Sequence, residues 1–120
     1  MREMTKAFKA LADETRLRIL GVLLERECCV CEVMQALDIS QTRASRNLSI
    51  LYDAGFLKLR REGLWALYSL DWEGMPSHLS DIVAAVGKAL EGERVVAEDR
   101  ERVRKAGRMG PAYARETVGA

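Results

Sequence analysis

With 120 residues, 48% of them hydrophobic, the chain has the size of one compact domain and is too short for two of ordinary size. Its net charge of +1 argues against coating nucleic acid by bulk electrostatics. No apolar run approaches the ~20 residues that span a bilayer, and MREMTKAFKALADETR is a charged amphipathic start without a signal-peptide core, so a cytoplasmic protein with no membrane partner is expected.

Thr5 to Leu11 reads as a first helix with Phe8 and Leu11 inward. Asp13 stands where an N-cap belongs, and Leu17, Ile19, Leu20, Leu23 and Leu24 give the following helix, to about Glu25, a core-facing side. Val30, Val33, Met34 and Leu37 are spaced by three and four, which predicts a short third helix. Asp38, Ile39 and Ser40 form a turn, with Ser40 as the N-cap of a fourth helix from Gln41 to about Ala54. On that helix Ala44, Leu48 and Leu51 face inward, while Thr42, Arg46 and Ser49, flanked by Arg43 and Ser45, face out. Gly55 ends it as a C′ residue does.

Phe56 to Arg61 and Leu64 to Leu70 are rich in strand formers and flank Glu62-Gly63, the pattern of a β-hairpin. Lys58 and Arg60 project to one face, with Arg61 near the tip. Pro76 opens a fifth helix whose stripe of Leu79, Ile82, Val83, Val86 and Leu90 either closes the core or buries itself against a second copy. Residues 1–91 therefore read as one domain, and 92–120 as a charged, partly helical or disordered tail without a core of its own.

The expected fold class is α+β, mostly α: about five helices and a two-stranded hairpin, arranged as a winged helix-turn-helix. Between Ser40 and Arg61 five cations (Arg43, Arg46, Lys58, Arg60, Arg61) face one anion (Asp53), a local basic surface on a nearly neutral chain. A helix fits the major groove of double-stranded DNA, where Thr42 and Arg46 are placed to reach base edges. Ser40, Gln41, Arg43 and Ser45 would hold phosphates, and Lys58, Arg60 and Arg61 would reach the flanking backbone or minor groove.

All 3 cysteines, Cys28, Cys29 and Cys31, lie in the stretch ECCVC. An odd, nearly adjacent set cannot form the disulfide framework of a secreted domain, so a soft-ion or redox site is expected instead. Cys28 and Cys31 spell CxxC without the βαβ context of a thioredoxin, and no second CxxC completes a zinc finger. His78, the only histidine, reads as a helix-surface residue. On a regular helix Cys29 and Cys31 point about 200° apart. Either the third helix starts late, leaving the thiols on a turn, or ion binding must unwind its first turn.

ALADETRLRIL, ECCVCEV and DISQTRASRNLSILYDAGFLKLRREGLWALYSL together resemble the ArsR/SmtB family of metalloregulatory repressors over roughly residues 5 to 90. The resemblance implies a homodimer, joined through terminal helices, that sits on an inverted-repeat operator and leaves when an inducer binds. It makes Cys29 and Cys31 the cysteine pair of the family's arsenic-sensing box, typically Glu-Leu-Cys-Val-Cys-Asp-Leu. Cys28 replaces the usual Leu there, Met34 stands where some arsenite sensors carry a third cysteine, and Asn47 replaces a common His. Cys28 is thus a candidate third ligand for As(III) or Sb(III), with no organic cofactor implied. Sensing of cadmium, lead or zinc, a thiol-redox repressor of the same fold and a small thiol oxidoreductase are the alternatives.

Overall fold

The computed structural model describes residues 1–108. In chain order the elements are α1 (Arg2–Leu11), α2 (Glu14–Glu25), β1 (Cys28–Cys29), α3 (Val30–Leu37), α4 (Gln41–Asp53), β2 (Leu57–Glu62), β3 (Trp65–Leu70), α5 (Ser77–Leu90) and α6 (Arg94–Lys105). The expected mostly helical winged architecture is present, enlarged by a sixth helix and a third strand.

Local signals set most boundaries. The Asp13 carboxylate accepts from the Arg16 amide at 3.0 Å and the Ser40 hydroxyl accepts from the Arg43 amide at 3.2 Å, so both expected N-caps are made. Gly55 (φ 94°) and Gly63 (φ 60°) occupy the left-handed conformations that end α4 and turn the hairpin. Asp38, the C-cap of α3, is the only non-glycine residue with positive φ (56°) among the described residues. A β-branched side chain is strained there, so Asp38→Val is expected to cost about 1–2 kcal/mol. Urea unfolding at neutral pH checks this, and an unchanged midpoint would refute it.

The antiparallel sheet has the order β1-β3-β2. Leu57 pairs with Leu70 and Glu62 with Trp65, giving the hairpin, and Cys28 and Cys29 add to its free edge opposite Tyr68 and Leu67. Phe56, Ile19, Leu20, Leu48 and Leu51 fill the centre between α2, α4 and the sheet.

Two expectations about helix faces are corrected. Phe8 is 52% exposed, because α1 turns Ala7, Ala10 and Leu11 inward and allows close approach to α2 and α4. The segment after Glu93, expected to be a charged, partly helical or disordered tail without a core of its own, is helical over Arg94–Lys105 and packs on α2 and α3 through buried Val96 and Val103. Val96 lies against Gly21, where the absence of a Cβ permits the contact. Asp99, fully buried, accepts two bonds from Arg18 (2.8 Å each) and one from Arg102 (2.8 Å), joining α6 to α2. This covering helix explains why Ile19, Leu20, Gly21, Val22 and Leu23 are all buried on α2, not only one stripe.

On α5, Leu79, Val83 and Leu90 are buried within the chain's own fold, while Ile82 and Val86 are partly exposed. The stripe therefore closes the core with one edge and leaves the other accessible.

Candidate functional site

The thiols occupy the junction of α2, the sheet and α3. Cys29 ends β1 and is also the N-cap of α3, with extended backbone (φ −82°, ψ 171°). The helix starts late, at Val30, so the phase argument that separates Cys29 from Cys31 on a regular helix does not apply. Their Sγ atoms lie 2.7 Å apart, both buried, and pack with Leu67 and Trp65 of β3.

Cys28 is not part of that group. Successive strand residues face opposite sides, so Cys28 points into the main core, where its Sγ contacts the Arg26 carbonyl at 3.5 Å. The expected three-thiol cluster is divided into a pair and a single residue. Among the described residues, no group of three or more His, Cys, Asp or Glu side chains is arranged to hold a metal ion.

Glu32, three residues after the N-cap, is 2% exposed and locks the junction. One carboxylate oxygen accepts from the Cys29 amide at 2.9 Å and the other from Arg26 at 2.6 Å. The Arg26 charge beside the thiol turn is thus engaged by a carboxylate. Burial, then the nearby Glu32 charge, pushes the Cys28 thiol up to about 12. Burial and the hydrogen bond with Cys31 raise the Cys29 thiol as well.

The pH consequence has a definite sign. Because the folded chain holds the Cys28 proton beyond the ordinary thiol value of about 8.5, its contribution to stability is full below that pH and falls above it. The urea midpoint is expected to drop between about pH 8 and pH 10, less so in Cys28→Ala. Equal drops in the two proteins would sink this assignment.

The residues expected to face DNA are all at least partly exposed. Thr42, Arg43 and Arg46 are exposed on α4, Ser40, Gln41 and Ser45 are partly exposed, and Lys58, Arg60 and Arg61 are exposed on β2. Several already have partners: Gln41 donates to the Ser45 hydroxyl (3.2 Å) and Arg43 to the Thr15 hydroxyl (3.0 Å). Arg60 is held by Glu27 through two bonds of 2.8 and 2.7 Å, which also keep the Glu27 carboxyl below the usual range.

Glu27, Glu32, Trp65 and Leu67 were missed as site residues by the sequence reading. Glu32 carried a usable signal, since an acid three residues after a polar N-cap makes a capping box, here with Cys in the place of Ser. The others depend on a two-residue strand that no periodicity reveals.

A helix-turn-helix with a three-residue turn, followed by a basic hairpin, defines a winged-helix DNA-binding protein, and the thiol pair packs against the second strand of its wing. Residues 13–59 match the family described as bacterial regulatory protein, arsR family. A cadmium resistance transcriptional regulatory protein CadC homolog of Staphylococcus aureus is 42% identical over 96 residues, covering 79% of this chain and 74% of that one. An arsenical resistance operon repressor of Escherichia coli K12 is 50% identical over 64 residues, covering 52% and 55%. In structure, a homodimeric winged helix-turn-helix domain, Mb0332 of Mycobacterium bovis, superposes with a TM-score of 0.64 at 28% identity, covering 78% and 82%.

The chain belongs to the ArsR family of transcriptional regulators. Its relatives are regulators and not enzymes, so the oxidoreductase alternative is set aside. No helix among the described residues is long and apolar enough to cross a membrane.

Proposed function

We propose that the protein is an arsenite- or antimonite-responsive repressor, a homodimer that leaves an inverted-repeat operator when trivalent arsenic or antimony joins Cys29 to Cys31. The observation that carries this reading is the buried thiol pair, 2.7 Å between sulfurs, walled by Leu67 and Trp65. Arsenous acid is neutral and suits such a pocket. Each thiol gives its proton to a departing hydroxide, two arsenic–oxygen bonds are exchanged for two arsenic–sulfur bonds, two waters leave and arsenic stays trivalent. A divalent cation would require both protons to be lost to solvent from buried thiols, and zinc takes four ligands where only two thiols meet.

In this reading Cys28 is a core residue. Thr42 and Arg46 read bases; Ser40, Gln41, Arg43 and Ser45 hold phosphates; Lys58, Arg60 and Arg61 contact the flanking DNA. Ile82 and Val86 on α5, together with exposed Phe8 on α1, provide apolar surface for the second copy. Cys29 transmits the signal because its backbone belongs at once to the sheet of the wing and to the start of α3, which braces α4. Release follows only if the metalloid binds the off-DNA arrangement more tightly than the on-DNA one.

Fluorescence anisotropy on promoter DNA tests this, with arsenite, antimonite, cadmium, zinc and peroxide titrated separately. Release by arsenite and antimonite is expected. Release by peroxide alone would replace it with a thiol-redox repressor, and release by cadmium alone with a divalent-ion sensor.

A further inference from the structure

The thiols are closed off: Cys29 is 2% and Cys31 6% exposed, so an inducer enters only if a wall moves. Three walls are costly to shift. Leu67 lies on the central strand β3, Cys29 is anchored by sheet pairing and by Glu32, and α3 packs on α4 and α6. Among the described residues, the remaining wall is Trp65, partly exposed at the start of β3.

Trp65 is attended by the residues just after α6. The Arg108 guanidinium sits over its ring, 5.9 Å from the centroid, and pairs with Glu62 at 3.1 Å. Gly107 exchanges two bonds with the Gln35 side chain, its carbonyl accepting at 2.8 Å and its amide donating at 3.4 Å. Gln35 also donates to the Cys31 carbonyl at 3.0 Å, so this segment is tied directly to the thiol turn. Ala106, by contrast, is packed against the core and belongs to the fixed part of the fold.

We propose that Gly107 and Arg108 form the removable wall of the thiol site: by holding Trp65 and Gln35 in place they govern how fast, and how bulky, an arsenical reaches Cys29 and Cys31. The bonds of this wall lie at the surface, where each contributes little, so it opens before the sheet or α3 does. Arg108 and Trp65 are then specificity-determining residues, favouring arsenite over an arsenical bearing an aryl group, which needs the wall fully open. The choice of ligand rests on the function proposed above, whereas the wall itself does not.

The test compares the unaltered chain, Arg108→Glu, and Gln35→Ala, which removes the tie between Gly107 and the thiol turn. Site-resolved alkylation by N-ethylmaleimide, read by mass spectrometry, needs no metalloid, and Cys28 on the opposite face serves as an internal control. Cys29 and Cys31 are expected to react about tenfold faster in both variants, with Cys28 unchanged. Stopped-flow fluorescence in a Trp72→Phe background then compares arsenite with phenylarsine oxide, and the rate gap between them is expected to narrow in both variants. Unchanged alkylation, or acceleration of all three thiols together, overturns the wall. Faster alkylation of Cys29 and Cys31 without binding of either arsenical sustains the wall and overturns the arsenical function.

Discussion

Cys29→Ser and Cys31→Ser are each expected to abolish arsenite-driven release from DNA, while Cys28→Ala retains it. Replacing two-point attachment by one forfeits the effective concentration of the second thiol, a loss of about a hundredfold or more in apparent affinity. Cys28 stands on the other face of β1, so its removal leaves the pair intact and costs only packing, about 1–2 kcal/mol for a buried side chain of this size. Anisotropy titrations of the three variants on one operator fragment, beside their urea midpoints, separate the two kinds of effect. If Cys28→Ala lost induction at unchanged fold stability, the division of the thiols into a pair and a single residue would be wrong for the bound state.

Asp99→Ala is expected to be the most destabilising single change outside the central core. Its carboxylate is fully buried and holds Arg18 and Arg102, and the Arg18 side chain is itself only 19% exposed. Removing the anion strands a partly buried guanidinium that keeps only a long contact of 3.4 Å to the Leu37 carbonyl. Breaking such a pair costs about 3 kcal/mol, reduced here by the exposure of Arg102. Loss of α6 docking should come first, visible as protease cleavage within Arg94–Lys105 before global unfolding. A companion Asp99→Leu with Arg18→Met, which removes both charges, should recover much of the loss. Stability within about 0.5 kcal/mol of the parent in Asp99→Ala would refute the assignment.

The winged helix was legible in the sequence because its cues are local. Asp13 and Ser40 name their helix starts, Gly55 and Gly63 sit at positive φ, and strand formers on either side of Glu62-Gly63 mark the hairpin. What stayed hidden depends on contacts distant in sequence. The segment Arg94–Lys105 is so rich in charge that it reads as solvated. Buried Val96 and Val103, the pairing of Asp99 with Arg18, 81 residues away, and the bonds of Arg100 and Arg102 to the Gly21 and Ala36 carbonyls bring it into the fold. The thiol site was half legible. The residue types pointed to soft-ion chemistry, and the conflict between helix phase and the pairing of Cys29 with Cys31 left two outcomes open, a late helix start or unwinding on ion binding, of which the first is found. That Cys28 would face away required β1, which has two residues and no periodicity of its own.

The doublet Cys28–Cys29 has a consequence for how the loop between α2 and α3 tolerates change. Facing alternates with a period of two, so a one-residue slip of β1 along β3 would turn Cys29 away from Trp65 and bring Cys28 opposite Leu67. A lone cysteine at this edge would lose its place after such a slip, whereas two in succession always leave one sulfur on the Cys31 side. In such a slipped register the second thiol would stand where the first had been, like a spare tooth on a short rack.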